Sequence, residues 1–124
     1  MSKAKFREVH PVLPVRDVAA SIVYYTQKLG FELKFQDSKA NPKYAGVLRD
    51  GVELHLQWHD ATDFKSVEKL SLRFFIDDVD ALFEEYQTQD VFHTRTALQN
   101  TSWGTREFAF YDPDGNGLFF YRGL

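Results

Sequence analysis

The sequence predicts an α+β fold in which a βαβββ unit occurs twice, the two units forming a curled mixed sheet around a concave cleft. The first observation is an internal repeat: when Tyr25 is aligned with Tyr86, the helix starts of the two halves coincide. The second is that each half carries a tight turn between strand-like runs, at 50–51 and at 114–115. Two halves of this kind bury little alone, so they are expected to fold together.

Both predicted helices have clear start signals, and the first has a clear end. Asp17 and Asp78 are N-cap residues, and Gly30 stands where a left-handed C′ residue ends the first helix. Apolar side chains follow each cap at helical spacing. In the first helix they are Val18, Ile22, Tyr25 and Leu29, and in the second Val79, Leu82, Phe83 and Tyr86.

Short runs with a period of two predict the strands. They lie at 9–15, 31–35, 44–48 and 52–58 in the first half, and at 70–76, 91–96 and on both sides of the turn 112–117 in the second. Segments 37–43, 59–67 and 97–102 are predicted as loops or connectors. Pro11 and Pro14 indicate an edge strand, a strand start or a bulge in this first run. Trp58 is expected in the core on the helix side or at a dimer interface.

Composition bounds the class of protein. The chain of 124 residues is long enough for one domain, predicted over 1–124 with repeat halves at about 8–60 and 69–123. Aromatic residues make up 16%, a surplus that could line a cleft or an interface. A net charge of −3 argues against nucleic acid as partner. There is no cysteine, which excludes disulfides and thiolate metal sites. With no signal-like or membrane-length apolar run, a cytoplasmic location is expected.

Two long segments carry a family resemblance. They are residues 14–31 (PVRDVAASIVYYTQKLGF) and 103–117 (WGTREFAFYDPDGNG). Together with the doubled βαβββ unit they resemble the vicinal oxygen chelate superfamily of glyoxalase I, extradiol dioxygenases, and fosfomycin and bleomycin resistance proteins. The run 103–108, Pro11 before Val12-Leu13, and the segment 44–50 are most similar to the bleomycin resistance branch.

The resemblance also implies where a metal would bind. Enzymes of the superfamily take ligands from the first and last strands of each half, positions that read His10, Ser71, His55 and Phe119 here. Serine is a poor ligand and phenylalanine is none, so two histidines fall short of a three-ligand catalytic site. We therefore expect a protein without metal, cofactor or catalytic residues, and a binding protein rather than an enzyme. The alternative is a metal-dependent lyase or dioxygenase with an atypical site at His10, His55 and Glu53.

The bleomycin resistance branch implies a homodimer with N-terminal strand exchange near Pro11 and with aromatic clefts that sequester a drug. The expected ligand is a planar heteroaromatic antibiotic, bleomycin-like or different, with cationic drugs among the candidates; neither nucleic acid nor a membrane is expected as partner. A scaffold dimer without ligand is a further alternative. The ligand-binding residues expected by position are Phe35, Tyr44, His55, Gln57 and Trp103.

Overall fold

The structure, a computed structural model, describes residues 2–124 as two successive βαβββ halves. The first half comprises β1 (Val12–Val15), α1 (Val18–Val23, continued by a π-helical turn at Tyr24–Lys28), β2 (Glu32–Gln36), β3 (Tyr44–Arg49) and β4 (Val52–Trp58). The helix α2 (Ala61–Ser66) connects the halves. The second half comprises β5 (Ser71–Phe75), α3 (Val79–Gln87), β6 (Gln99–Asn100), β7 (Thr105–Tyr111) and β8 (Gly117–Gly123). None of the helices within residues 2–124 is long and apolar enough to cross a membrane.

The strands form two mixed four-stranded sheets of matching topology. Their orders are β1-β4-β3-β2 and β5-β8-β7-β6. In each sheet the first strand runs parallel to the last one, and the other neighbours are antiparallel. This arrangement confirms the predicted α+β class and the doubled βαβββ unit. The two sheets are separate, and neither closes into a barrel.

The helix signals are confirmed. The Asp17 side chain accepts a hydrogen bond from the Ala20 amide at 3.0 Å, and Asp78 does the same for the Ala81 amide at 3.0 Å. Gly30 follows the π-helical turn with φ +79°, a conformation that favours glycine. Local sequence rules therefore place both helices and fix where they begin.

Four strand and loop predictions need correction. β1 begins at Val12 rather than residue 9, with the first ladder bond running from the His55 amide to the Pro11 carbonyl (2.9 Å). Residues 91–96 are not a strand; the Thr96 hydroxyl there donates to the Ala109 carbonyl instead. The edge strand β6 lies inside the predicted loop 97–102. The predicted connector 59–67 contains α2, which Asp60 caps.

Of the two positions predicted for Trp58, the one in the core is wrong. It is not in the core, because 39% of it is exposed. Its ring lies under the ammonium group of Lys43, 4.0 Å from the ring centroid. A place at a dimer interface stays a prediction.

The two halves are joined through buried polar groups as well as apolar contacts. The turn between β7 and β8 reaches into the first half, where the Tyr25 hydroxyl donates to Asp112 at 2.7 Å. Asn116 is fully buried and joins the sheet edges: its amide donates to the Pro14 carbonyl (3.1 Å), and its oxygen accepts from the Leu70 amide (3.0 Å). Apolar residues of both halves form one core cluster.

Candidate functional site

Each sheet buries one face against the core and leaves the other face open. On β4, Leu54 and Leu56 point into the core, while Glu53, His55 and Gln57 alternate onto the open face. β3 adds to this surface at positions that lie directly opposite them. The pairs are Tyr44 with Gln57 and Gly46 with His55.

Three of the predicted ligand-binding side chains form an aromatic cluster on the open face of the first sheet. The Phe35 ring lies 6.2 Å from Tyr44 in a stacked arrangement and 5.2 Å from His55, edge to face. Tyr44 and His55 are themselves 5.3 Å apart. The Phe35 ring covers Gly46, so that a Cβ at position 46 would lie 2.8 Å from Phe35 Cδ1. The absence of a side chain at Gly46 is therefore what makes room for the ring.

A bulge in β2 brings two adjacent residues to this face. The register between β2 and β3 shifts between Leu33 and Phe35, which leaves Lys34 as the extra residue. The Lys34 ammonium group consequently reaches the Glu53 carboxylate, beside the Phe35 ring. The sequence predictions missed Lys34, because strict alternation from Phe35 would place its neighbour on the opposite face.

Glu53, His55 and Tyr44 form a continuous hydrogen-bond chain. Glu53 Oε2 lies 2.7 Å from His55 Nε2, and the Tyr44 hydroxyl lies 2.7 Å from His55 Nδ1. An ionised carboxylate can only accept, so Nε2 carries a proton, and in the neutral imidazole Nδ1 then accepts from the Tyr44 hydroxyl. The hydrogen bonds from Lys34 and then His55 lower the pKa of Glu53 to about 2. The carboxylate is thus ionised at neutral pH.

The four positions at which the resemblance implies metal ligands divide between the sheets. His10 and His55 lie close together, with ring centroids 4.8 Å apart. Ser71 is in β5 and Phe119 in β8, both in the second sheet. Glu53 stands beside the two histidines and supplies a third donor, and one ligand atom from each lies within 4.8 Å of the others. The donor set present therefore suits a divalent ion, although it is drawn from one half.

The open face of the second sheet carries a different set of groups. Arg73 donates to Glu107 at 2.9 Å, and the Thr105 hydroxyl donates to the same carboxylate at 2.8 Å. Burial acts to raise the pKa of Glu107, but the hydrogen bonds from Arg73 and Thr105, together with the charge of Arg73 and the nearby Trp103 side chain, hold the pKa below its ordinary value. Arg73 was missed at the sequence level; its alternation with Leu72 and Phe74 along β5 could have placed it on this face.

Trp103 belongs to the second half and is separate from the aromatic cluster. It lies in the turn before β7, is 67% exposed, and forms no ring pair with Phe35, Tyr44 or His55 within residues 2–124. A groove of about 500 Å³ runs along the same sheet beneath residues 93–96. This groove thus lies on the second sheet, whereas the aromatic cluster lies on the first.

These features define a class of proteins built from two βαβββ units, with polar and aromatic groups on the open sheet faces. The chain belongs to the Glyoxalase/Bleomycin resistance protein/Dioxygenase superfamily, whose sequence profile matches residues 7–120.

Its relatives include bleomycin resistance proteins. Those of Geobacillus stearothermophilus and Staphylococcus aureus are each 28% identical over 129 aligned residues, covering 92% of this chain and 95% of theirs. The bleomycin-binding protein of the bleomycin producer Streptomyces verticillus, solved with copper(II)-bleomycin, is 31% identical with a TM-score of 0.77, covering 98% of this chain and 99% of its own. The resistance determinant encoded on transposon Tn5 has a TM-score of 0.79 at 22% identity, covering 95% and 98%, and supports the fold.

Proposed function

We propose that this protein is a binding protein of the bleomycin resistance type, which sequesters a planar heteroaromatic ligand of the bleomycin kind. The observation that carries the proposal is the aromatic cluster of Phe35, Tyr44 and His55, held over Gly46 on an open sheet face. A planar ring added to this cluster would gain about 0.5–1.5 kcal/mol per stacked pair beyond burial. The relative bound to copper(II)-bleomycin supports this choice of ligand class.

We further propose that the cleft forms between two copies of the chain. The aromatic cluster and Gln57 supply one wall, and the partner copy supplies Trp103 from its second sheet. Phe6 and Val9 support this arrangement, because 104% and 89% of their surfaces are exposed on an arm that joins the first sheet only from Pro11 onward. Exchange of this arm between copies would cover both side chains. A cytoplasmic location stays a prediction.

The carboxylates on the open faces bear on the charge of the ligand. Glu53 and Glu107 both lie there, and each already pairs with a cation of its own chain, Lys34 and Arg73. Net attraction for a cationic drug is therefore modest, and we expect the affinity to fall only weakly with added salt. Stacking rather than charge is expected to supply most of the binding energy.

Tryptophan fluorescence tests the proposal directly. The protein is titrated with metal-free bleomycin in the presence of chelator and, separately, with preformed copper-loaded bleomycin, at low and moderate salt. We expect saturable quenching in the submicromolar range that is lost in Trp103→Ala and retained in Trp58→Phe, because Trp58 is not among the residues proposed to contact the ligand. No response at tens of micromolar would reject bleomycin as the ligand. Quenching that follows Trp58 would reject the proposed cleft.

A further inference from the structure

We propose that His10, Glu53 and His55 form a binding site for one divalent first-row transition-metal ion, complete within the first half of the chain. The three side chains come from two segments: His10 lies on the N-terminal arm, and Glu53 and His55 lie on the same face of β4. This proposal departs from the metal-free site expected from Ser71 and Phe119. The reason is Glu53, which replaces a donor from the second half.

The donor atoms converge on one point. Glu53 Oε2 lies 2.7 Å from His55 Nε2 and 3.6 Å from His10 Nδ1. One ligand atom from each residue lies within 4.8 Å of the other two. An ion about 2.0–2.2 Å from each donor needs separations a little above 3 Å, which small side-chain rotations would provide. Without the ion, His55 Nε2 and Glu53 Oε2 are joined by a hydrogen bond instead.

In each of the three ligand side chains, the nitrogen or oxygen atom that would not bind the ion contacts another polar side chain. The Glu8 carboxylate lies 2.8 Å from His10 Nε2. The Tyr44 hydroxyl lies 2.7 Å from His55 Nδ1, and Lys34 binds Glu53 Oε1, leaving Oε2 free to face the histidines. Partners of this kind fix the orientation and the tautomer of metal-ligating side chains. In a chance cluster of these residues, we would not expect all three side chains to have such a second partner.

The donor chemistry selects the class of metal. Two imidazoles and one carboxylate suit zinc, copper or nickel rather than magnesium or calcium, which prefer all-oxygen sites. Binding requires the His55 proton to move from Nε2 to Nδ1, after which Tyr44 accepts rather than donates. Three protein donors leave at least one coordination position for water or for a donor atom of a bound ligand.

Metal titration of the purified chain tests the site without any drug present. Zinc binding is followed by calorimetry, and copper(II) binding by electron paramagnetic resonance, which reports coordinated imidazole nitrogen. We expect one ion per chain, loss of binding in His10→Ala and in Glu53→Gln, and affinity weakened by about 10- to 100-fold in Glu8→Gln. His59→Gln is the matched control, because His59 is a histidine outside the cluster, and should bind normally.

Three results would overturn the site: no saturable binding at micromolar metal, binding that survives His10→Ala, or equal loss in His59→Gln. Thermal unfolding without metal shows whether each variant is folded, and His10→Ala is the safest because His10 lies on the arm outside the sheets. The site does not rest on the proposed function. Metal binding without drug binding would reject only the drug, and drug binding in chelator without metal binding would reject only the site.

Discussion

Gly46 determines whether the aromatic cluster can form. A Cβ at this position would overlap the Phe35 ring. In Gly46→Ala the ring must swing outward, which is inexpensive because Phe35 is already partly exposed. We therefore expect bleomycin affinity to fall by about 2- to 10-fold, the equivalent of one lost stacking pair, with the urea midpoint of unfolding little changed. Fluorescence titration and urea denaturation measure the two quantities.

The matched control for this substitution is Gly123→Ala. Gly123 lies at the end of β8 with nothing within 4 Å of an added Cβ and no positive φ. It should leave both affinity and stability unchanged. Undiminished affinity in Gly46→Ala would mean that Phe35 does not contact the ligand.

Glu107 should give the protein part of its sensitivity to acid. Its pKa in the folded state lies below the ordinary value of 4.5. The stability contributed by this group is therefore fully present above pH 4.5 and is lost as the pH falls through the lowered pKa. In Glu107→Gln we expect lower stability at neutral pH and a smaller loss of stability on acidification. Urea denaturation from pH 7 to pH 3 measures both.

Glu84→Gln serves as the control, because Glu84 is exposed on α3. Its pH profile should follow that of the unsubstituted protein. If the Glu107→Gln profile ran parallel to the unsubstituted one, the pair between Glu107 and Arg73 would contribute nothing to stability.

At the scale of elements, the sequence predicted what local chemistry decides. The side chains of Asp17 and Asp78 cap the helices that begin after them, as predicted. Alternation along β4 correctly placed Glu53 and His55 on one face. Segment 91–96 is strand-like in composition, yet Thr96 bonds to β7 through its hydroxyl. Such tertiary contacts, like the bulge in β2, are not encoded by periodicity and could not be predicted from it.

The repeated tyrosine shows how one element joins the two halves. Tyr25 and Tyr86 occupy matching positions, and each is almost fully buried with its hydroxyl donating across to the opposite half. Their acceptors differ. The Tyr25 hydroxyl donates to the buried Asp112 carboxylate. The Tyr86 hydroxyl donates to the Leu29 carbonyl, which also accepts a hydrogen bond from Arg49. Burial raises the pKa of Asp112, and the bond from Tyr25 works against that rise.

We therefore expect unequal costs from removing the two hydroxyls. Tyr25→Phe should lower the free energy of unfolding by about 1–3 kcal/mol, the cost of a buried group left short of a partner, and Tyr86→Phe by less than about 1 kcal/mol. Guanidinium denaturation measures both, with exposed Tyr111→Phe as control. Equal costs would show that the charge on Asp112 does not strengthen its hydrogen bond.

At the scale of the whole molecule, the repeat in the sequence predicted two similar halves but not how a cleft arises from them. The aromatic cluster lies on the first sheet, the groove lies on the second sheet, and Trp103 lies in the turn before β7. Periodicity shows which side chains share a face, but it carries no information on which face another copy of the chain covers. The arm before β1 is the segment whose removal can test whether a second copy of the chain covers these faces.

Removing the arm tests the two-copy cleft. In residues 2–124 the first backbone hydrogen bond from the N-terminus to a sheet is made by Pro11, so deletion of residues 2–9 should leave each sheet folded. Covering Phe6 and Val9 on a partner would contribute about 1.5–3 kcal/mol for each side chain. We expect light scattering to show a dimer for the full chain and, at the same micromolar concentration, a monomer after deletion.

Deletion of residues 2–5 is the matched control, since it shortens the arm but keeps Phe6 and Val9. It should remain dimeric. A full chain that is monomeric would reject the two-copy cleft and leave Trp103 without a role in ligand binding. If deletion of residues 2–9 kept the dimer, the copies would instead associate through the open sheet faces, where Phe75 and Tyr111 are also exposed. In that case the arm would be free in the dimer.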